Sequence, residues 1–324
     1  MNRRDFLKNA FAGGALMATA KLPSLADAPE EFPRRGQWER LAVSIVNFHV
    51  GAAKPFNVLH VSDTHLTDAY PHEPKIKQEL KSMRTRTFGG RQEEALRDTL
   101  EYARLHAEYL VHTGDLIDFQ SEKNFDLVRQ YFGGAQPTQV AMGNHEFSIN
   151  MWLGKGEDVE TRDAAHRAKS ADKLSAAYPQ AIDFASQIVN GVNFITFDDV
   201  YGDVTEAQVA KFKAEVEKGL PIILCMHVPF HSEKSWQLTR MYWNAGRTAY
   251  DAKPAPIRED GDYDRQLKDP VTRDFIKYLK SEKLLKGILT GHEHFHYQER
   301  FSPTCIQVIA PGNYSFAANL VAID

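Results

Sequence analysis

The sequence predicts an α/β domain of two mixed β-sheets flanked by helices. Three observations carry this. Apolar runs at residues 56–62, 108–113, 138–142, 221–226 and 287–290 read as short strands buried on both faces. Amphipathic helical segments separate the first three runs, the pattern of a parallel βαβ series. Each run gives way to a loop carrying Asp, His or Asn, and side chains just past parallel strand ends converge on one rim of a sheet.

Taken in order, residues 31–37 read as a linker and 38–49 as a first strand, with Leu41, Val43, Ile45 and Phe48 favouring one face. Residues 92–106 carry Ala95, Leu96, Leu100, Ala103 and Leu105 at helical spacing. A second helix opens at the capping residue Ser121 and shows Phe125, Val128 and Phe132 on one face. Residues 148–170 are polar without a clear period and suggest a helical excursion over the site. Asn190-Gly191 between two apolar runs signals a hairpin. A helix over 206–218 leads to the strand that ends at His227. Residues 230–267 hold Trp236, Tyr242, Trp243, Tyr250 and Tyr263 among prolines and charges, and without core periodicity they read as a long loop of the kind that serves function or is mobile, its aromatics either lining a substrate cleft or packing on the domain. A helix at 271–282 and strands at 297–301, 304–310 and 316–323 complete the domain, which is expected to occupy residues 29–324.

The 324 residues are 43% hydrophobic and 25% charged, which suits a soluble domain with a large core. Net charge is −4 with Lys and Arg scattered, so the basic stripe of a nucleic-acid binder is missing and sequence-specific binding is not expected. Residues 1–28 resemble a twin-arginine export signal: Arg3-Arg4, then Phe6-Leu7-Lys8, a short weakly apolar stretch and an Ala26-Asp27-Ala28 exit. That stretch is shorter than the roughly 20 residues of a membrane span. The expected partner is the twin-arginine translocase and the expected location periplasmic or secreted. Cys225 and Cys305 sit in apolar strand-like runs and read as isolated buried thiols.

The polar clusters carry the chemistry. They are Asp63-Thr64-His65, Gly114-Asp115, Gly143-Asn144-His145-Glu146, His227 and Gly291-His292-Glu293-His294. Phosphate esters are anionic and repel hydroxide, so their hydrolysis needs charge neutralisation and a nucleophile available at neutral pH. Two divalent ions about 3.5–4 Å apart supply both. A bridging carboxylate holds the ions together, while mostly neutral imidazole and amide ligands leave net positive charge for the substrate. The ordered clusters resemble the calcineurin-like metallophosphoesterase superfamily, of the Asp-x-His type.

That resemblance implies a four-layer sandwich, two metal ions, and attack of a metal-bound hydroxide on a phosphate mono- or diester. It implies one ion on Asp63, His65, Asp115 and His294, and a second on Asp115, Asn144, His227 and His292. It places His145 at the leaving-group oxygen, with Asp118 as its paired carboxylate and Glu146 supporting the ligands from behind. Asp118 could instead cap the helix near Ser121. Nitrogen and oxygen donors without thiolate suit Mn, Fe or Zn. Of the other histidines, His60 reads as core and His112 as core or ligand support. His231 is open between a substrate contact and a surface residue, and His296 lies outside the ligand pattern.

Protein Ser/Thr phosphatases of the superfamily carry Asp-Arg-Gly after Gly-Asp-x-x and Arg before Gly-Asn-His; here those positions are Asp118-Phe119-Gln120 and Met142. Protein phosphatase activity of that kind is therefore not expected; purple acid phosphatases place a metal-binding Tyr where this chain has Asp118, so their charge-transfer iron site is not expected either. Two other readings stay open: an inactive metal-binding protein of the same fold, and a dinuclear hydrolase of non-phosphate esters.

Overall fold

Eleven strands and eight helices are placed by the computed structural model, which describes residues 40–134, 137–150, 164–200, 202–245 and 261–324. The expected export signal, the linker and Trp38 lie outside the described residues, as do residues 151–163 of the polar excursion and Tyr250. The strands are β1 (Ala42–Phe48), β2 (Phe56–Val61), β3 (Tyr109–His112), β4 (Thr138–Val140), β5 (Phe184–Val189), β6 (Val192–Phe197), β7 (Ile222–Cys225), β8 (Leu285–Thr290), β9 (Tyr297–Ser302), β10 (Cys305–Ile309) and β11 (Ala317–Ile323). The helices are α1 (Lys75–Thr87), α2 (Gln92–His106), α3 (Glu122–Phe132), α4 (Ala164–Ala177), α5 (Glu206–Val216), α6 (Glu233–Ala245), α7 (Asp262–Lys268) and α8 (Pro270–Ser281).

One sheet has the order β1-β11-β2-β3-β4 and the other β5-β6-β7-β8-β10-β9. β2, β3 and β4 run parallel, with α2 and α3 as the intervening helices. β6, β7, β8 and β10 are parallel in the second sheet. The β5–β6 hairpin turns at Asn190 and Gly191, both with positive φ, as the Asn-Gly pair requires.

Alternation along the strands builds four layers. Leu59, Val61 and Leu110 face outward onto Leu96 and Ala103 of α2, Phe125 and Val128 of α3, and Leu174 of α4. Val58, Tyr109 and Val111 face the other way, onto Phe194, Ile223, Cys225 and Leu289 of the second sheet. The far side of that sheet presents Ile195, Leu224, Ile288 and Cys305 to Phe212 of α5 and Phe275 of α8. Cys225 and Cys305 therefore face opposite sides of one sheet; both are buried and free. Burial pushes both thiols up, which suits inert core residues.

Two expectations are corrected. In β1 the buried residues are Val46 and Phe48, followed by Val50, while Ile45 is 70% exposed at the edge of its sheet. Strand side chains alternate, so Phe48 cannot share a face with Leu41, Val43 and Ile45; the expected grouping mixed the two parities. The stretch 230–267 is not one long loop, since α6 and α7 occupy much of it. Their aromatics pack beside other rings instead of forming an apolar stripe, so a period count misses them. α1 escapes the same count because its charged sequence buries only Leu80 and Arg84.

No described helix is long and apolar enough to cross a membrane. Phe275 meets the rings of Phe212, Phe197 and Phe230 at 5.3, 5.9 and 6.4 Å between centroids. Phe275→Ala should cost about 3–5 kcal/mol in urea unfolding, whereas Ile45→Ala should change stability by no more than about 0.5 kcal/mol.

Candidate metal centre

The strand ends of both sheets deliver the polar clusters to one place. β2 continues into Asp63 and His65, β3 into Asp115 and Asp118, and β4 into a 3-10 turn, Asn144–Phe147. From the second sheet, β7 leads to His227 and β8 to His292 and His294. Backbone pairing carries on past the strands: the amides of Asp63 and His65 donate to the carbonyls of Gly114 and Asp115, and Leu66 donates to Leu116. This keeps the first two loops in register as they leave the sheet.

Asp63, His65, Asp115 and His294 bring one ligand-type atom each within 4.8 Å of one another, and Asp115, His227 and His292 do the same. His65 Nε2 lies 3.1 Å from His294 Nε2, and His227 Nε2 lies 3.1 Å from His292 Nδ1. Asn144 Oδ1 approaches His227 Nε2 to 3.2 Å and so joins the second group. Asp115 is common to both.

On each of these four rings the other nitrogen is already engaged. His65 Nδ1 meets Asp118 Oδ1 at 3.1 Å, His294 Nδ1 meets the Tyr314 hydroxyl at 3.2 Å, His227 Nδ1 meets the Thr113 carbonyl at 2.8 Å, and His292 Nε2 meets Asp262 at 3.0 Å. A carbonyl or carboxylate partner requires N–H on that side, so His65, His227 and His292 turn their opposite ring nitrogens inward. Facing ring nitrogens about 3 Å apart need a proton or a metal cation between them. The donor set therefore fits a pair of divalent ions.

The charge balance points the same way. Burial alone would lower the His227 and His292 imidazoles, but Asp115 raises the first to about 9 and Asp262 raises the second to about 10. Burial would raise the Asp63 and Asp115 carboxyls, but the surrounding histidines hold both low. His65 goes down to about 4 through burial and stays neutral. Protons thus supply positive charge where metal ions would.

Five of these residues hold left-handed backbone: Asp63, His65, Asp115, His292 and His294, with φ between 52° and 71°. Asp and His tolerate this region better than most residues, yet each such position carries strain. Glu146 is the buried clamp on the Asp115 loop. Its carboxylate accepts the amides of Asp115 (3.0 Å), Gly143 (2.8 Å) and Leu116 (2.8 Å) and the hydroxyl of Tyr178 (2.9 Å). Two glycines let the loops approach: a Cβ on Gly143 would lie 2.2 Å from Asp115 Oδ1, and Gly114, at φ 93°, would press one against Gly143 and His227. Asp199, raised to about 7 by burial, accepts the amides of His227 and Val228.

His145 sits beside both groups without joining either pair. Its amide donates to Asp115 Oδ1 (2.9 Å), its Nδ1 lies 3.0 Å from Asp118 Oδ1 and 2.9 Å from the Asp118 carbonyl, and its Nε2 lies 3.9 Å from Asp115 Oδ2. Burial would lower the imidazole, but Asp115 and Asp118 outweigh it and raise it to about 10. Asp118 does not cap α3; that position belongs to Ser121, whose Oγ accepts the Asn124 amide at 3.0 Å. Arg84 of α1 grips Asp118 instead, with Nε–Oδ2 2.6 Å and Nη2–Oδ1 2.8 Å. Burial would raise the Asp118 carboxyl, but His145 and Arg84 hold it well below the usual range.

Arg84, Asp262 and Tyr314 were missed by sequence reasoning, because none stands in a ligand motif. The remaining histidines stay outside the two groups. His60 and His112 are buried and lowered by burial to about 3; they bond Thr113 and Thr64. His296 bonds Asn319. His231 is buried 3.3 Å from Glu293, against Trp236 and Tyr263, so it is not a surface residue. Of the other aromatics, Trp243 donates Nε1 to Glu293 at 3.0 Å, and Tyr242 lines a shallow cleft of about 480 Å³ with Leu238, Met241 and Phe295.

The chain belongs to the calcineurin-like phosphoesterase family: the family model matches residues 56–296, a span that holds every residue of both groups. Similar solved structures include a dimetal phosphatase from Danio rerio, at 14% identity and a TM-score of 0.45, covering 81% of this chain and 89% of that one. A purple acid phosphatase from yellow lupin seeds matches at 12% identity and a TM-score of 0.44; the match covers 80% of this chain and 44% of that one. Phosphopantetheinyl hydrolase from Mycobacterium tuberculosis matches at 12% identity and a TM-score of 0.38, over 82% of this chain and 92% of that one. Nothing among the curated proteins matches.

Glu146→Ala leaves four buried amides of the Asp115 and Asn144 loops without an acceptor. The expected loss is at least about 3 kcal/mol in chemical denaturation.

Proposed function

We propose that this chain is a dinuclear metal-dependent phosphoesterase that hydrolyses phosphate mono- or diesters. The observation that carries the reading is the pair of ligand groups sharing Asp115, with inward ring nitrogens facing one another. Asp63, His65, Asp115 and His294 would hold one ion, and Asp115, Asn144, His227 and His292 the other. Such ions clamp phosphoryl oxygens and make water a nucleophile at neutral pH.

The chain's own residues do the rest. Asp115 sets the separation of the two groups by offering its carboxylate to both. Asn144 contributes a neutral oxygen, so positive charge is left over to attract an anionic ester. His145 presents Nε2 beside Asp115 Oδ2, 3.9 Å away, where it can donate to the departing oxygen. Asp118 fixes the orientation of that ring through Nδ1. The all-nitrogen-and-oxygen donor set suits Mn, Fe or Zn. Arg3-Arg4, the short apolar stretch and the small-residue exit support export by the twin-arginine translocase to the periplasm or beyond.

The deciding experiment is hydrolysis of p-nitrophenyl phosphate and bis-p-nitrophenyl phosphate by protein stripped of metal and then reloaded with Mn²⁺. Metal-dependent turnover is expected, and the ratio of the two rates separates monoesterase from diesterase. Two bound ions with no turnover on these or on a wider phosphate panel would overturn the reading; turnover of carboxyl esters alone would do so too.

Two outcomes follow for variants and pH. Asp115→Asn should lose metal and activity together, whereas His145→Ala should keep both ions and lose about 10²-fold or more in turnover. Below about 9 the His227 and His292 imidazoles carry protons in the metal-free protein, so ions must displace them. Metal affinity should therefore weaken as pH falls, with proton release on loading, measurable by calorimetry in buffers of different ionisation enthalpy.

A further inference from the structure

We propose that Arg84 is a positioning residue for the metal centre: its guanidinium fork locks the Asp118 carboxylate so that it holds the His65 ring and keeps its charge beside His145. The inference rests on the phosphoesterase reading for its catalytic half and stands alone for its metal-binding half. α1 is a charged helix that buries only Leu80 and Arg84. A buried guanidinium costs several kcal/mol unless it is paired with good geometry. Arg84 is paired bidentately, through Nε–Oδ2 at 2.6 Å and Nη2–Oδ1 at 2.8 Å.

That grip decides what Asp118 can do. Oδ1 also meets His65 Nδ1 at 3.1 Å and lies 3.0 Å from His145 Nδ1, whose own hydrogen bond runs to the Asp118 carbonyl at 2.9 Å. A carboxylate free to turn about its last bond could release His65 Nδ1 and swing its charge away from His145. With the fork in place it cannot turn, and both rings aim Nε2 at Asp115 Oδ2, from 3.8 Å for His65 and 3.9 Å for His145. One helical turn further on, Phe88 stacks on the His65 ring at 4.3 Å with an interplanar angle of 12°, and the Arg84 guanidinium lies 5.0 Å from the Phe88 ring. The end of α1 thus fixes His65 by its Nδ1 edge, through Asp118, and by its face.

Fork and charge are separable, because Arg84→Lys keeps the charge and loses the planar fork. The test uses the full chain with Arg84→Gln and Arg84→Lys and two readouts. The first is kcat and KM at saturating Mn²⁺ on phenyl phosphate and p-nitrophenyl phosphate, which are similar in shape but differ in how much the leaving oxygen needs a hydrogen-bond donor. The second is a titration of metal-free protein with Mn²⁺ in the absence of substrate. Arg84→Gln should lower kcat on phenyl phosphate by about 10- to 100-fold and on p-nitrophenyl phosphate much less, with KM little changed, and one of two Mn²⁺ should bind about 10-fold more weakly. Arg84→Lys should fall between Arg84→Gln and the parent. Equal losses on both esters with parental Mn²⁺ uptake, or no loss at all, would reduce Arg84 to a packing residue and overturn the proposal. Should Arg84→Gln fail to fold, Arg84→Lys carries the same two readouts. If the parent protein turns over neither monoester, bis-p-nitrophenyl phosphate supplies the kcat readout; if it turns over no phosphate ester the phosphoesterase reading fails by itself, and the Mn²⁺ titration still decides whether Arg84 positions His65.

Discussion

Glu146 has no exposed surface, yet four backbone amides and a tyrosine hydroxyl converge on its carboxylate. Those amides belong to two loops, one leaving β3 and one leaving β4, and neither loop has another way to satisfy them so close to the Asp115 carboxylate. Burial and the neighbouring Asp115 push the Glu146 carboxyl up, so the clamp is held by its donors at an electrostatic cost. Asp115 depends on it directly. Its backbone is left-handed at φ 54°, and its Oδ1 is engaged by the His145 amide. Strain of that kind persists only where the surroundings over-determine it, and Glu146 is the main determinant. Because Asp115 belongs to both ligand groups, the geometry of the whole centre follows from this one buried acceptor.

The rest of the centre repeats the arrangement with other atoms. Asp63 accepts the His292 amide, so a residue from the first sheet fixes the loop that follows β8 in the second. Asp199 does the same for the His227 loop. Carboxylates here hold backbone as well as facing the candidate ions, which is why so many are buried at one rim. Loss of a single carboxylate would remove both a charge and a loop restraint.

Much of this was legible in the sequence, for identifiable reasons. Buried parallel strands are short apolar runs, and β2, β3, β4, β7 and β8 stand where those runs lie. Asp63, His65, Asp115, Asn144, His227, His292 and His294 stand within a few residues of the ends of those strands, so the topology alone brings them together. The misses share a cause. The face of β1 was misassigned because Phe48 is of opposite parity to Ile45, and edge strands tolerate an exposed apolar residue. α6 leaves Tyr242 and Trp243 exposed and only half-buries Trp236, so it shows no apolar stripe, and α1 spends its buried positions on one leucine and one arginine. A helix whose buried face is partly ionic has no hydrophobic period to detect.

The division between legible and hidden residues has a physical basis. A strand end can deliver a Cα to a rim, but it does not set the rotation of an imidazole ring two bonds away. That rotation needs a second anchor on the far nitrogen, and only for His227 is the anchor a backbone carbonyl, that of Thr113 just past β3 in the other sheet. For His65 it is Asp118, itself held by Arg84 of α1; for His292 it is Asp262 of α7; for His294 it is Tyr314 in the 3-10 turn before β11. These anchors come from elements far away in sequence, reached through side chains of any suitable acceptor or hydroxyl, so they form no compact motif. Ligand identity is written locally because the strands impose it, while ligand orientation is written across the chain because several packed elements must supply it together.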